Sequence, residues 1–397
     1  MGVEKDENKA FIYYQKAAEM GDVSGINNVG FCYLYGIGIE KVENKAFIYF
    51  QKSVEMGFTS RMSIKNEWIH NLEIEDDLKK IFIESKYQLC WISFDEFKCI
   101  EVIGKGGFAT VYRAEWFDRR QYFFRPVALK LFHESNNYYK EFIRELKAYC
   151  DIGLKDPTFL RCLGVSKDKF SNDYFLVMEF ALEGCLRKNL HVIAQSNWRE
   201  KLNLLQCIAY DLQIIHSQDH IHRDLHSGNI LLNNLKSAYI ADLGLSITAS
   251  IALKSNSDGI YGILPYIAPE VLNKHPYTKE SDIYSFRIIL WEILYGKPVP
   301  FDQKSELLFQ LQVCNGLRPQ IYENIASNML YEFNEEMLEY GSKKATNRKE
   351  IYGTFVEWQN NENILLELSE SDKKLQNIKN ENMHLNIKSD YKVVYLT

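Results

Sequence analysis

The chain has 397 residues, 46% apolar and 25% charged, a composition that excludes disorder throughout and leaves room for two or three domains. Its 47 basic against 53 acidic residues give a net charge of -6, with no Lys/Arg block dense enough for a nucleic-acid partner. Eight cysteines are scattered without a CxxC pair, which fits reduced thiols in an intracellular, cytoplasmic protein better than a disulfide or zinc framework. No uncharged apolar run reaches the ~18 residues of a membrane span, and the opening MGVEKDENKA lacks the apolar stretch of a signal peptide. No membrane partner is expected.

The first landmark is a repeat. ENKAFIYYQKAAEMG (7–21) aligns with ENKAFIYFQKSVEMG (43–57) at an offset of 36, with 12 of 15 positions identical. Ala10, Ile12, Tyr13, Ala17 and Met20 recur at helical spacing, and Gly21 or Gly57 stands where a helix C-cap would. Between the copies, INNVGFCYLYGIGIE reads as a second helix and a glycine turn. With Gly30, Tyr33, Tyr35, Gly36 and Gly38 in place, residues 1–57 resemble the Sel-one-like repeat, a relative of the tetratricopeptide repeat. The resemblance implies a protein-docking surface; about one and a half units, fewer than stand alone, fit a packing remnant equally well. Residues 58–96 read as a connector containing a polar helix.

From residue 97 the vocabulary changes. EFKCIEVIGKGGFATVYRAEW reads as strand, glycine turn, strand, and Gly104 and Gly106 let a backbone approach a phosphate closely. In VALKLF (127–132), Ala128, Lys130 and Phe132 share one strand face and Val127, Leu129 and Leu131 the other. NYYKEFIRELKAYC reads as a helix whose apolar stripe of Phe142, Leu146 and Tyr149 also carries Glu145. A buried carboxylate there calls for a cation, and Lys130 is the natural candidate. IHRDLHSGNILL, YIADLGLS and PYIAPEVL follow in that order.

This order of glycine loop, VALK, HRD, DLG and APE resembles a eukaryotic protein kinase over residues 97–320, with the tyrosine-kinase-like group most similar. The resemblance implies an α+β two-lobed protein kinase fold, preceded by a small α-solenoid (1–57) and a linker (58–96), and followed by a polar, partly helical tail (321–397). It implies ATP and magnesium as cofactors and a protein substrate. By the same resemblance Asp224 accepts or orients the proton of the substrate hydroxyl, Asn229 and Asp242 hold the metal, and Lys130, positioned by Glu145, grips the α and β phosphates. Gly104, Lys105 and Gly106 form the phosphate loop. Val111, Ala128 and Leu231 sandwich the adenine, and Glu179 and Ala181 supply the hinge backbone. Arg223 would receive a phosphate on the activation loop, where Ser246, Thr248, Ser250, Ser255, Ser257 and Tyr261 are the available acceptors.

Several positions depart from the family pattern. Ala109 replaces the third loop glycine, and His226 and Ile263 stand where serine/threonine kinases usually carry Lys and Thr. The tyrosine-kinase signature is absent too, so serine/threonine acceptors are favoured by group resemblance only. Arg287 occupies a usual glycine in SDIYSFRIILWEI, and must find an acceptor, reach solvent or destabilise its helix. After GLRP (316–319) the usual arginine partner of Glu270 does not follow, which makes the lower lobe read as shortened. TFVEWQNNENILLELSESDKKLQNI reads as one amphipathic helix through Ile364, Leu365, Leu368, Leu375 and Ile378, covering an exposed face or trailing as a tail. These departures motivate a rival reading, a catalytically weak ATP-binding pseudokinase scaffold that docks partners through its repeats.

Overall fold

The structure is a computed structural model that describes residues 6–56, 74–84, 89–106, 109–118, 123–133, 139–156, 158–248, 260–301, 306–319 and 348–381. They divide into two compact units, residues 1–143 with 163–178, and residues 144–162 with 179–397. The first is built on a sheet and the second is mostly helical, so the expected α+β class holds.

The first unit opens with helices α1 (Glu7–Glu19), α2 (Val23–Tyr35) and α3 (Glu43–Glu55). Asp6 and Asp22 cap the first two, their carboxylates accepting from Lys9 N–H at 3.0 Å and Gly25 N–H at 2.8 Å. Close approach is what the glycines supply: a Cβ on Gly25 would lie 2.6 Å from Ala17 Cβ, and one on Gly30 would lie 2.6 Å from the Phe50 ring. The helices are those the repeat implies, but the buried face differs from the stripe read in the sequence. Phe11 and Ala18 are buried, whereas Ile12, Tyr13 and Met20 are exposed. Gly21 follows α1 with φ +82°, as a C-cap glycine should; Gly57 lies outside the described residues.

Within the segment read as a connector, α4 (Asp76–Ile83) buries Leu78, Ile81 and Phe82, and β1 (Cys90–Trp91) pairs in parallel with β5 (Cys162–Lys167). These residues are part of the sheet unit. The other strands are β2 (Phe97–Lys105), β3 (Ala109–Asp118), β4 (Phe123–Phe132) and β6 (Tyr174–Glu179), giving the order β1-β5-β6-β4-β3-β2. On the antiparallel β3–β4 pair, Ala114 faces Val127 and Tyr112 faces Leu129, and these line the core with Trp116, Phe175 and Val177. The alternation therefore turns Val111, Ala128 and Lys130 to the opposite face, with Val111 directly across from Lys130. Helix α5 (Tyr139–Lys155) runs from the first unit into the second.

The second unit contains β7 (Gly184–Cys185), α6 (Leu186–Ile193), α7 (Trp198–Ser217), β8 (His220–Ile221), β9 (Ile230–Asn234), β10 (Ser237–Ile240) and β11 (Ile247–Thr248). Next come α8 (Pro269–Leu272), α9 (Lys279–Tyr295), α10 (Glu306–Cys314), α11 (Arg348–Asn360) and α12 (Glu362–Glu381). Helix α9 is buried from Ser281 to Tyr295, and a Thr278/Ser281 capping box starts it. Arg287 lies inside this stretch, only 2% exposed. Of the three fates the sequence left open, reaching solvent is ruled out. The side chain is not without a partner, and its charge, with that of Arg318, opposes the rise that burial imposes on the Tyr284 hydroxyl.

The C-terminal segment is two helices instead of the single one expected. Asn361 breaks the run because its side-chain oxygen accepts from the N–H groups of Asn363 and Ile364 at 3.1 and 3.4 Å, capping α12. The pair packs on α7 instead of trailing: Gln206 donates to Phe355 O and Gln359 Oε1, both at 3.0 Å, and Lys201 donates to Asp372 at 2.6 Å. Ile351, Phe355, Trp358, Leu365 and Leu368 are buried; Leu375 and Ile378 lie outside the described side chains. Glu270, half-buried, has no ion pair among the described residues. All eight cysteines are free thiols, and among the described residues no helix is long and apolar enough to cross a membrane.

Candidate active site

The sequence HRDLHSGN forms the loop between β8 and β9, and a buried carboxylate from α9 fixes its shape. Asp282 accepts from the His222 N–H at 2.8 Å and the Arg223 N–H at 3.0 Å, while His216 on α7 donates to it at 2.8 Å. Burial alone would raise the Asp282 pKa, but these hydrogen bonds and the two neighbouring imidazoles outweigh it and hold the carboxyl below its ordinary range. The His222 ring, fully buried, accepts from Asp224 N–H at 3.3 Å and donates to Ala241 O at 3.1 Å, tying the loop to the end of β10.

The β9–β10 hairpin then brings two sequence-distant residues together. Ile240 pairs with Ile230, and the Ala241 N–H donates to Asn229 O at 2.8 Å, so Asn229 just before β9 lies beside Asp242 just after β10. Asn229 donates through Nδ2 to Asp224 O at 2.9 Å and approaches Asp224 Oδ2 at 3.4 Å. Its amide oxygen takes no part in these two contacts. Asp242 is held by its N–H donating to the Tyr149 hydroxyl at 2.9 Å. Arg223 and Asp242 both adopt left-handed backbone, φ +72° and +64°; strain of this kind at non-glycine residues persists only where the surroundings enforce it. Asp211 on α7 anchors the hairpin by accepting from Ile240 N–H at 2.8 Å, and burial lifts its pKa well above the usual carboxylate range.

Glu145 on α5 is fully buried beside Gly244. A Cβ at 244 would lie 2.9 Å from Glu145 Oε2 and 3.2 Å from Asp242 Oδ1, which explains the glycine of DLG. Arg144 donates to Gly244 O at 2.9 Å. Asp224, Asn229, Asp242 and Glu145 thus all belong to the second unit. So do the expected hinge residues: Glu179 N–H donates to Arg161 O at 3.0 Å, Ala181 O closes a turn with Gly184 N–H at 3.2 Å, and Leu231 pairs with Cys185 and Tyr239.

Val111, Ala128 and Lys130 share the face of the first unit's sheet opposite the Ala114, Val127 and Leu129 core, and all three are half-buried. Gly104 and Lys105 end β2, and Gly106 N–H donates to Ala109 O at 2.8 Å, closing the glycine turn. Of the candidate phosphate acceptors, Ser246 is fully buried, and Ser250, Ser255 and Ser257 lie outside the described residues. Arg223 stands over the rings of Tyr261 and Tyr277, 4.9 Å from each. Tyr277 is pushed up to about 12 by burial, partly offset by a hydrogen bond with the Tyr261 backbone and by Arg223.

Residues 97–354 match the family described as protein tyrosine and serine/threonine kinase. The chain belongs to the protein kinase family. Sel1 repeats match at residues 1–22 and 23–58. The kinase match runs past residue 320 into α11 and joins tyrosine and serine/threonine kinases in one family, so it does not carry the narrower tyrosine-kinase-like grouping. The chain is 33% identical over 222 residues to the serine/threonine-protein kinase PLK4 of Nematostella vectensis, covering 54% of this chain and 21% of that protein. It is 28% identical over 242 residues to salt tolerance receptor-like cytoplasmic kinase 1 of rice, 57% and 64% respectively. PrkC of Bacillus subtilis, a serine/threonine-protein kinase, is 27% identical over 220 residues, 54% and 33%. The chain therefore spans only a part of each relative's length.

Sequence reasoning found the motif residues but missed three of the groups that hold the kinase loop and the residues after β10. His216, Tyr149 and Arg144 lie on helices whose spacing says only that one face is buried; nothing local marks which of them ends beside Asp242 or Asp282.

Proposed function

We propose that the kinase domain transfers the γ-phosphoryl group of ATP to serine or threonine hydroxyls of a protein substrate. The observation that carries this reading is the loop from His222 to Asn229, in which buried hydrogen bonds hold Asp224 and Asn229 against each other and the hairpin adds Asp242. Asp224 takes the proton of the attacking hydroxyl as its oxygen bonds to phosphorus and the bond to the β-phosphate breaks. Asn229 and Asp242 offer an amide and a carboxylate oxygen, the hard donors that magnesium takes, and fit that ion. Once bound there, it would neutralise charge on the phosphates. Lys130, with Glu145, holds the α and β phosphates, and Gly104, Lys105 and Gly106 bring backbone N–H groups to them. Val111, Ala128 and Leu231 enclose the adenine, which the Glu179 and Ala181 backbone hydrogen-bonds.

One feature that favoured a weak scaffold loses force: α11–α12 cover α7. We take the catalytic domain to run from residue 97 through α12, with the repeats docking a partner protein in the cytoplasm. The names of PLK4 and PrkC support the serine/threonine assignment.

The test is incorporation of labelled γ-phosphate from Mg-ATP by the full chain, beside Asp224→Asn. General-base catalysis contributes about 10²–10⁴-fold, so the variant should lose at least ~100-fold in rate with unchanged melting. ATP-dependent thermal stabilisation of an inactive wild type would overturn the reading in favour of the scaffold.

A further inference from the structure

His226 occupies the loop position where serine/threonine kinases usually carry a lysine, and its geometry gives it a defined task. The ring is almost buried, its side chain 9% exposed. The Gly228 N–H donates to Nδ1 at 2.9 Å, so Nδ1 is an acceptor and the ring proton sits on Nε2. That Nε2 faces Asp224 Oδ1 at 3.7 Å. Asp224 Oδ1 is buried and has no hydrogen-bond partner among the described residues, an unmet acceptor that is costly to leave so. Position 228 is small for the same reason: a Cβ there would lie 2.7 Å from His226 Cε1 and 2.8 Å from Nδ1. The ring also lies near Tyr266, 5.8 Å between centroids, whose hydroxyl donates to Glu292 and accepts from Arg187.

Resting on the kinase reading, we propose that His226 is a positioning residue: its Nε2–H turns toward Asp224 Oδ1 and orients the carboxylate so that Oδ2 meets the substrate hydroxyl. A sub-ångström closure makes the 3.7 Å contact a hydrogen bond. The family's lysine would bring a full charge to this position, whereas His226, with Nδ1 taken up by the Gly228 N–H, presents Nε2–H as a donor of fixed direction. The task is orientation of the base more than attraction of phosphate.

The experiment compares the full chain with His226→Leu, His226→Gln and Gly228→Ala, measuring kcat and the KM for ATP alongside thermal melting. A misplaced base costs up to ~100-fold. His226→Leu and Gly228→Ala should therefore lose about 10- to 100-fold in kcat, with the KM for ATP within about twofold of wild type. His226→Gln, whose Nε2 donor reaches the same distance, should regain much of the loss. Ring ¹⁵N shifts of His226 in the unsubstituted protein should show the Nε2–H tautomer, a readout that needs no variant to fold. Wild-type kcat in His226→Leu, equal losses in the Leu and Gln variants, or an Nδ1–H ring would each overturn the proposal while leaving the kinase reading intact. An inactive wild type takes both down together.

Discussion

The loop from His222 to Asn229 and the α11–α12 clasp lie in the same unit, and both bury charge on α7 or against it, but they do so differently. At the loop, Asp282 accepts three short hydrogen bonds and is fully enclosed. At the clasp, burial lowers the Lys201 pKa and one carboxylate, Asp372, opposes that fall; around this pair Phe355, Trp358 and Leu368 are buried, and the other polar contacts, from Gln206 and Arg199, are part-buried or exposed. The difference teaches where polar burial is needed. A carboxylate that holds loop backbone has several partners and no apolar substitute, whereas a buried pair on a packing face is replaceable in principle.

Asp282→Ala should break the first arrangement with the largest effect. It strands two backbone N–H groups and the His216 ring, and each buried unsatisfied group costs about 1–3 kcal/mol. A loss of about 4 kcal/mol or more in urea unfolding is expected, with at least ~100-fold loss of phosphoryl transfer.

Asp372→Ala comes next. It leaves Lys201 buried and unpaired, at a cost of about 3 kcal/mol, because removing one member of a buried pair is worse than removing both. Lys201→Met combined with Asp372→Leu should return to within about 1 kcal/mol of wild type and keep full activity. A double variant as unstable as Asp372→Ala would show the pair to be more than replaceable packing.

Acid titration sharpens the comparison further. The folded Asp282 carboxyl titrates below its ordinary value of 3.8, so on acidification the unfolded chain takes up the proton first. Its stabilisation is complete above about pH 4, and is lost as the pH falls through the folded value. Asp282→Asn should flatten this part of the acid limb, measured as urea midpoint against pH, whereas Asp372→Leu with Lys201→Met should leave it unchanged. The smallest effect belongs to the exposed Arg199–Glu362 pair: Glu362→Gln should change stability by less than about 0.5 kcal/mol.

Much of the chemistry was legible in the sequence because it is local. HRDLHSGN, DLG and the face alternation of VALKLF each lie within a few residues; in the structure Asn229 bonds Asp224 and Lys130 stands across from Val111. The repeat was legible for the same reason, although its buried face was not: Phe11 and Ala18 are inside because α2 packs there, and an amphipathic stripe with tyrosines on two sides does not declare which side meets a neighbour.

What the sequence determined by itself was the family, the order of its elements and the residues with catalytic potential, since backbone preference and side-chain chemistry act over short spans. Tertiary structure alone decided that Arg287 stays inside α9, that residues 348–381 close over α7 through Lys201 and Asp372, and that His226 points its Nε2 at Asp224. Each depends on groups dozens of residues apart or on the precise turn of a ring, and the free energy that selects them comes from packing and hydrogen-bond satisfaction in the folded interior, which no local pattern encodes.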